Sequence, residues 1–209
     1  MKITDIDVQK KNKNRVSVFV DGEYSFSLEQ IDALRLSLKI GMEITDEDIT
    51  KYNIESNLGK ARAKAGDMLS RRPYSLHDFK TKLLDKGFDD VIVNVIADEF
   101  TELGYLDDFE YAKMYIEDAR CKLKGDKKIA YELSLKGVSE RITREALDEC
   151  EGVPLDEIAG IINTKYASMD ITDYKIKQKI TAYLASRGFS FSEINDAIRY
   201  AVESREHIE

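Results

Sequence analysis

The side chains in this sequence with chemistry to offer are basic, and they come in three groups. Arg71, Arg72, Lys80, Lys82 and Lys86 form the first, Lys124, Lys127, Lys128 and Lys136 the second, and Lys175, Lys177, Lys179 and Arg187 the third. Ammonium and guanidinium groups neutralise phosphate oxygens or pair with carboxylates. Three groups recurring along a chain suit a long partner with regular negative charge, either a nucleic-acid backbone or a helical protein filament. The competing reading is a set of solvated helix faces held by pairs four residues apart. Any one group is ordinary; only the repetition lifts the first reading.

The other reactive residue types do not assemble a catalytic pattern. Asp46, Glu47, Asp48, Asp89, Asp90, Asp107 and Asp108 all fall at expected helix starts, where carboxylates complement the helix dipole. A metal-dependent nuclease would need such acids to converge on one pocket. Cys121 and Cys150, with His77 and His207, are too few and too scattered for a disulfide framework or a zinc site. No glycine-rich phosphate loop is present. The expectation is a protein without catalysis, metal or cofactor. A formal charge of −8 argues against simple coating of DNA. No apolar run reaches the roughly 20 residues of a membrane span, and Met1–Lys11 has no apolar signal-peptide core, so a cytoplasmic location is expected.

The elements that must position the basic groups are legible from a repeated stretch. Lys82-Leu-Leu-Asp-Lys-Gly-Phe88 recurs as Leu133-Ser-Leu-Lys-Gly-Val138 and Leu184-Ala-Ser-Arg-Gly-Phe189. Each copy has a Leu three residues before a basic residue, then Gly, then an apolar residue. This is a helix that stops: Gly takes the left-handed conformation, the basic side chain faces the negative helix end, and the apolar residue packs back. Asp89, Ser139 and Ser190 are then the N-caps of the next helices, with Ile92/Ile96, Ile142/Ala146 and Ile194/Ile198 on one face of each. The glycines are 137 − 87 = 50 and 188 − 137 = 51 residues apart, a period that signals tandem supersecondary units. One further amphipathic segment precedes each copy, so each repeat is three helices.

Before the repeats, Arg15–Val20 and Tyr24–Leu28 alternate around Asp21-Gly22, a type I′ hairpin signal. Ile3, Ile6 and Val8 suggest an earlier strand, with Lys10–Arg15 as its turn. Ser27 with Gln30 reads as a capping box for a short helix through Ile31, Leu34 and Leu38. Thr45 with Asp48 opens a long helix that Pro73 must end. Ala61, Ala63, Ala65 and Gly66 make part of that helix thin enough for a close neighbour. The division is a β-containing cap at 1–45 and three-helix repeats at 46–104, 105–153 and 154–209. The expected fold is mainly α, a curved elongated rod of three modules with a small three-stranded sheet at one end. Stacking would set the basic second helices in a row. Of the interleaved aromatics, Tyr74, Phe79, Tyr105, Tyr111, Tyr115, Tyr131 and Tyr183, most suit helix packing, while exposed ones could stack on bases.

Leu69-Ser-Arg-Arg-Pro-Tyr-Ser75, the Lys82–Phe88 unit, Gly104-Tyr-Leu-Asp-Asp108 with Tyr111-Ala112, Glu132-Leu133 with Lys136-Gly-Val138, and Lys179 with Tyr183-Leu184 and Arg187-Gly-Phe189 resemble the RecX family, regulators of the bacterial recombinase RecA. The match runs from about Ala61 to Ala201. The hairpin-bearing N-terminal part is similar to that of longer Gram-positive members. The resemblance implies a non-catalytic three-helix-repeat protein, read here as a monomer. It would lie in the groove of the RecA–DNA filament and lower ATP hydrolysis, strand exchange and co-protease activity. It carries over Arg71, Arg72, Lys82, Lys86, Lys136, Lys179 and Arg187 as matching basic positions. Gly87, Gly137, Gly188, Leu83, Leu133, Leu184, Phe88 and Phe189 match as fold positions. Asp107 and Asp108 also match and are assigned to helix capping. The alternative is a free-standing module that binds single- or double-stranded DNA by its basic face.

Overall fold

The computed structural model describes residues 1–206; His207 lies outside them. The chain divides into two compact units, Met1–Pro73 with Phe79–Tyr105 and Tyr74–Asp78 with Leu106–Glu209.

The first unit begins with an antiparallel sheet of β1 (Ile3–Val8), β2 (Arg15–Val20) and β3 (Glu23–Glu29), in that order. Asp21 and Gly22 both have positive φ, 51° and 92°, as the type I′ hairpin requires. Alternation buries Val16, Val18, Phe26 and Leu28 on one face, where Phe26 meets Tyr52 of α2 (Asp46–Leu69) at 5.2 Å between ring centroids. Thr45 and Asp48 form the expected capping box, and α2 stops before Pro73.

One expectation fails in this unit, because a distant partner outbids a local signal. Ser27 caps no helix. It lies in β3, and its hydroxyl accepts from Arg15 at 3.0 Å. The short helix α1 (Gln30–Arg35) has Glu29 at its N-cap without a side-chain bond, and Ile31 and Leu34 point to solvent at 73% and 74% exposure. α2 makes one further close approach at Gly59, where an added Cβ would lie 2.9 Å from the Asp32 carboxylate; in the small-residue stretch Ala61 and Ala65 are wholly buried, while Gly66 is exposed. Arg15, almost fully buried, binds Glu29, Ser27 and, at 2.9 Å, Ser56 of α2, tying sheet to helix. On its other side α2 meets α4 (Asp90–Glu102) through a bidentate pair, Arg62 to Glu99 at 2.7 and 2.8 Å.

α3 (Leu76–Leu84) and α4 complete the first repeat. α5 (Asp108–Cys121), α6 (Asp126–Leu135) and α7 (Glu140–Glu149) make the second, and α8 (Leu155–Lys165), α9 (Tyr174–Ser186) and α10 (Phe191–Glu206) the third. Asp89, Ser139 and Ser190 cap α4, α7 and α10 as read from the sequence. Leu83, Leu133 and Leu184 are each wholly buried, as are Ile96 and Ile194. Burial of a side chain of this size stabilises by roughly 1.5–3 kcal/mol. The fold is mainly helical with a small three-stranded antiparallel sheet at the N-terminus.

Candidate functional site

The candidate basic residues fall into two classes once their partners are known. In the first repeat Arg71 pairs with Asp67 at 2.7 Å, Lys80 donates to Asn94 at 2.9 Å, and Lys82 lies 3.3 Å from Asp85 on the exposed side of α3. Hydrogen bonds from Lys64 and Arg71 hold the Asp67 carboxyl below its ordinary range. Arg72 and Lys86 are exposed.

In the second repeat Lys124 and Lys136 turn inward. Lys124 binds both oxygens of Glu132 at 2.8 and 2.6 Å, and the Tyr115 hydroxyl donates to the same carboxylate at 2.7 Å. Burial, followed by the bond to Glu132, pushes the Tyr115 phenol far above its usual value. Burial would raise Glu132 too, but the bonds from Lys124 and Tyr115 outweigh it and hold that carboxyl low. Lys136 sits 3.7 Å from Asp78 and over the Tyr115 ring at 5.5 Å. Lys127 is exposed, with its ammonium 5.8 Å from the Phe191 ring centre, and Lys128 is half-buried.

In the third repeat, Lys175 and Lys179 share the outer face of α9, one turn apart. Lys177 points the other way, into a groove with Thr181, Asn195 and Arg199. Arg187 is engaged at a joint: Nε donates to the Leu123 carbonyl at 2.9 Å, Nη2 donates to the Lys122 carbonyl, and Nη1 lies 3.4 Å from the Tyr183 hydroxyl. Those carbonyls close α5, where Leu123 takes the left-handed conformation at φ 56°.

The basic helices therefore do not present one continuous set of equivalent cations. Counted back from the glycines, the residue immediately before is basic in every repeat (Lys86, Lys136, Arg187). Five back, the residues are Lys82, Glu132 and Tyr183. Among the candidate lysines, those that stay exposed are Lys82, Lys86, Lys127, Lys175 and Lys179.

Two expectations about other residues change. Asp107 caps its own helix α5, but the Asp108 carboxylate accepts the Leu76 N–H of α3 at 2.8 Å. Of the aromatics, Phe79 and Tyr111 are core, while Tyr105 and Tyr131 are exposed. Tyr174 and Phe191, at 73% and 66% exposure, were missed. They sit at helix starts and flank a groove floored by Ala182 and Ala185; only the facing of α9 and α10 puts them together. No group of three or more His, Cys, Asp or Glu among the described residues is placed to hold a metal ion. No helix among them is long and apolar enough to cross a membrane.

Family models match three parts of the chain: the regulatory protein RecX N-terminal domain at residues 1–45, the second RecX three-helix domain at 107–147 and the third at 161–198. A regulatory protein RecX of Clostridium tetani is 31% identical over 201 residues, covering 94% of this chain and 93% of the relative. Another, from Bacillus licheniformis, is 31% identical over 94% of this chain and 76% of its own length. A crystal structure of regulatory protein RecX overlays with a TM-score of 0.75 at 24% identity, covering 93% of this chain and 97% of that one. That of RecX from Lactobacillus salivarius gives 0.62 at 23% identity, over 69% and 96%. With near full-length similarity on both sides and the N-terminal and repeat models in their proper order, this chain belongs to the RecX family of regulatory proteins.

Proposed function

We propose that this protein is a non-enzymatic regulator that binds the RecA–DNA filament in the bacterial cytoplasm and lowers recombinase, ATPase and co-protease activity during DNA repair and the SOS response. The observation that supports it most is the exposed lysine set on the second helices, Lys82 and Lys86 on and just after α3, Lys127 on α6, and Lys175 and Lys179 on α9. These cations are available to phosphates and to acidic recombinase surface. The acidic remainder of a chain of net charge −8 disfavours bulk DNA. Titrating the protein into RecA on single-stranded DNA should inhibit the ATPase at less than one molecule per recombinase subunit. An unchanged ATPase at stoichiometric amounts overturns the reading.

The exposed rings of Tyr174 and Phe191 beside Lys127 and Lys177 favour a second reading, a free-standing module that stacks bases and tracks phosphates. It requires binding to DNA without recombinase that falls steeply with salt.

A further inference from the structure

The second helix of every repeat closes on the same turn. Gly87, Gly137 and Gly188 have φ of 86°, 75° and 96°. In each turn the residue after Gly donates five residues back, Phe88 to Leu83 at 3.4 Å, Val138 to Leu133 at 3.1 Å and Phe189 to Leu184 at 3.2 Å. This is the Schellman arrangement.

Two of these turns are seats for another helix. On the Gly137 turn, the Ser75 hydroxyl at the head of α3 donates to the Lys136 carbonyl at 2.6 Å, and a Cβ on Gly137 would lie 2.3 Å from Cβ of His77. On the Gly188 turn, Gly125 at the head of α6 donates its N–H to the Arg187 carbonyl at 2.9 Å, and Lys127 donates to the Gly188 carbonyl at 3.2 Å. A Cβ on Gly188 would meet the Lys128 nitrogen at 2.4 Å. In both, the positive end of one helix meets the unsatisfied carbonyls of another, and glycine is needed for the approach. The Gly87 turn is built identically, yet no described residue comes within 4 Å of a Cβ placed there, and Lys86 and Gly87 are exposed.

We propose that the Gly87 turn is a third seat, and that its occupant is the N-terminus of a helix on the recombinase protein within the filament. The choice of partner rests on the functional reading above; the seat itself rests on the two occupied copies. Charge favours a helix N-terminus over a phosphate backbone. The Lys86 and Gly87 carbonyls lie among exposed Asp85, Asp89 and Asp90, against Lys82 and Lys86. On the Gly137 turn, Ser75 brings Asp78 within 3.7 Å of Lys136. A fitting partner helix thus carries a small Ser, Thr or Gly cap and an acid in its first turn to meet Lys86. A second copy of this chain does not supply it. Twelve residues before Gly188, where Ser75 and Gly125 stand in the other repeats, is Ile176, inside α9, and Asp173 already caps that helix at 2.8 and 3.1 Å.

Gly87→Asn is the test, because Asn tolerates the left-handed conformation while placing a side chain over the seat. Filament affinity should fall about tenfold or more. Melting temperature and affinity for DNA alone should match wild type. Gly137→Asn should instead lower the melting temperature by breaking an internal seat. A folded Gly87→Asn protein that binds the filament as wild type does overturns the seat. A wild-type protein that does not bind the filament overturns the functional reading and the choice of partner with it.

Discussion

The Ser75 hydroxyl lies 2.6 Å from the main-chain carbonyl of Lys136, 61 residues away, and accepts the N–H of Asp78 at 3.1 Å. One buried side chain therefore both caps the first turn of α3 and binds the carbonyl of the Gly137 turn. Ser75→Ala leaves a half-buried carbonyl and a half-buried N–H without these partners and should cost about 1–2 kcal/mol. Urea unfolding checks this; a loss under about 0.5 kcal/mol would mean that water replaces both bonds.

Arg187 performs the matching task one repeat later, with a planar fork on two carbonyls. Arg187→Ala should destabilise by about 2 kcal/mol, and Arg187→Lys should recover little of it, because an ammonium does not reproduce the fork. Thermal melts of the two variants decide. Full recovery by lysine would show that charge alone matters at this position.

Tyr115 and Glu132 make stability depend on pH at both ends. The folded Tyr115 phenol titrates above its ordinary value of about 10, so its stabilisation is complete below that pH and is lost as pH rises toward the folded value. The folded Glu132 carboxyl titrates below its ordinary value. Its contribution is therefore present above that range and is lost as pH falls through the folded pKa. Tyr115→Phe should be less stable than wild type by about 1 kcal/mol at neutral pH, and the gap should narrow above pH 10. Denaturant midpoints of both proteins from neutral to alkaline pH test this, and a gap that stays constant would exclude the linkage.

Reversing Lys82, Lys175 and Lys179 to Glu removes exposed cations whose helices keep their cores. Filament affinity should drop about tenfold with an unchanged circular dichroism spectrum. Lys136→Glu is a different experiment, since it replaces the ammonium that lies 3.7 Å from Asp78 with a like charge and should lower stability as well. Wild-type binding by the triple variant would remove the lysine set from the interface.

Much of the fold was legible because its signals are local. The Thr45–Asp48 box, the Asp21-Gly22 hairpin, the caps at Asp89, Ser139 and Ser190 and the three glycine turns each act within a few residues, and the structure contains all of them. Ser27 shows the limit. Its capping-box spacing to Gln30 is correct, yet pairing with β2 and the reach of Arg15 across 12 residues hold it in a strand.

The candidate surface was only half legible. Sequence gives the presence of Lys124, Lys136 and Arg187 but not their neighbours, and each is engaged with a group 8 to 65 residues distant. Arg15 and Gly59 carried no local mark, because a buried arginine and a glycine at a close approach are defined by what packs against them.

By itself, then, the sequence determined the helical repeat, its fifty-residue period, the strand pattern and the turn at each glycine. These follow from backbone preferences and from which side chains water excludes. Only the tertiary structure decided which cations stay exposed and which bind carboxylates or carbonyls within the fold, and that the Gly137 and Gly188 turns carry a helix while the Gly87 turn stands uncovered. Those outcomes depend on through-space distances between distant residues, and no short-range pattern encodes them.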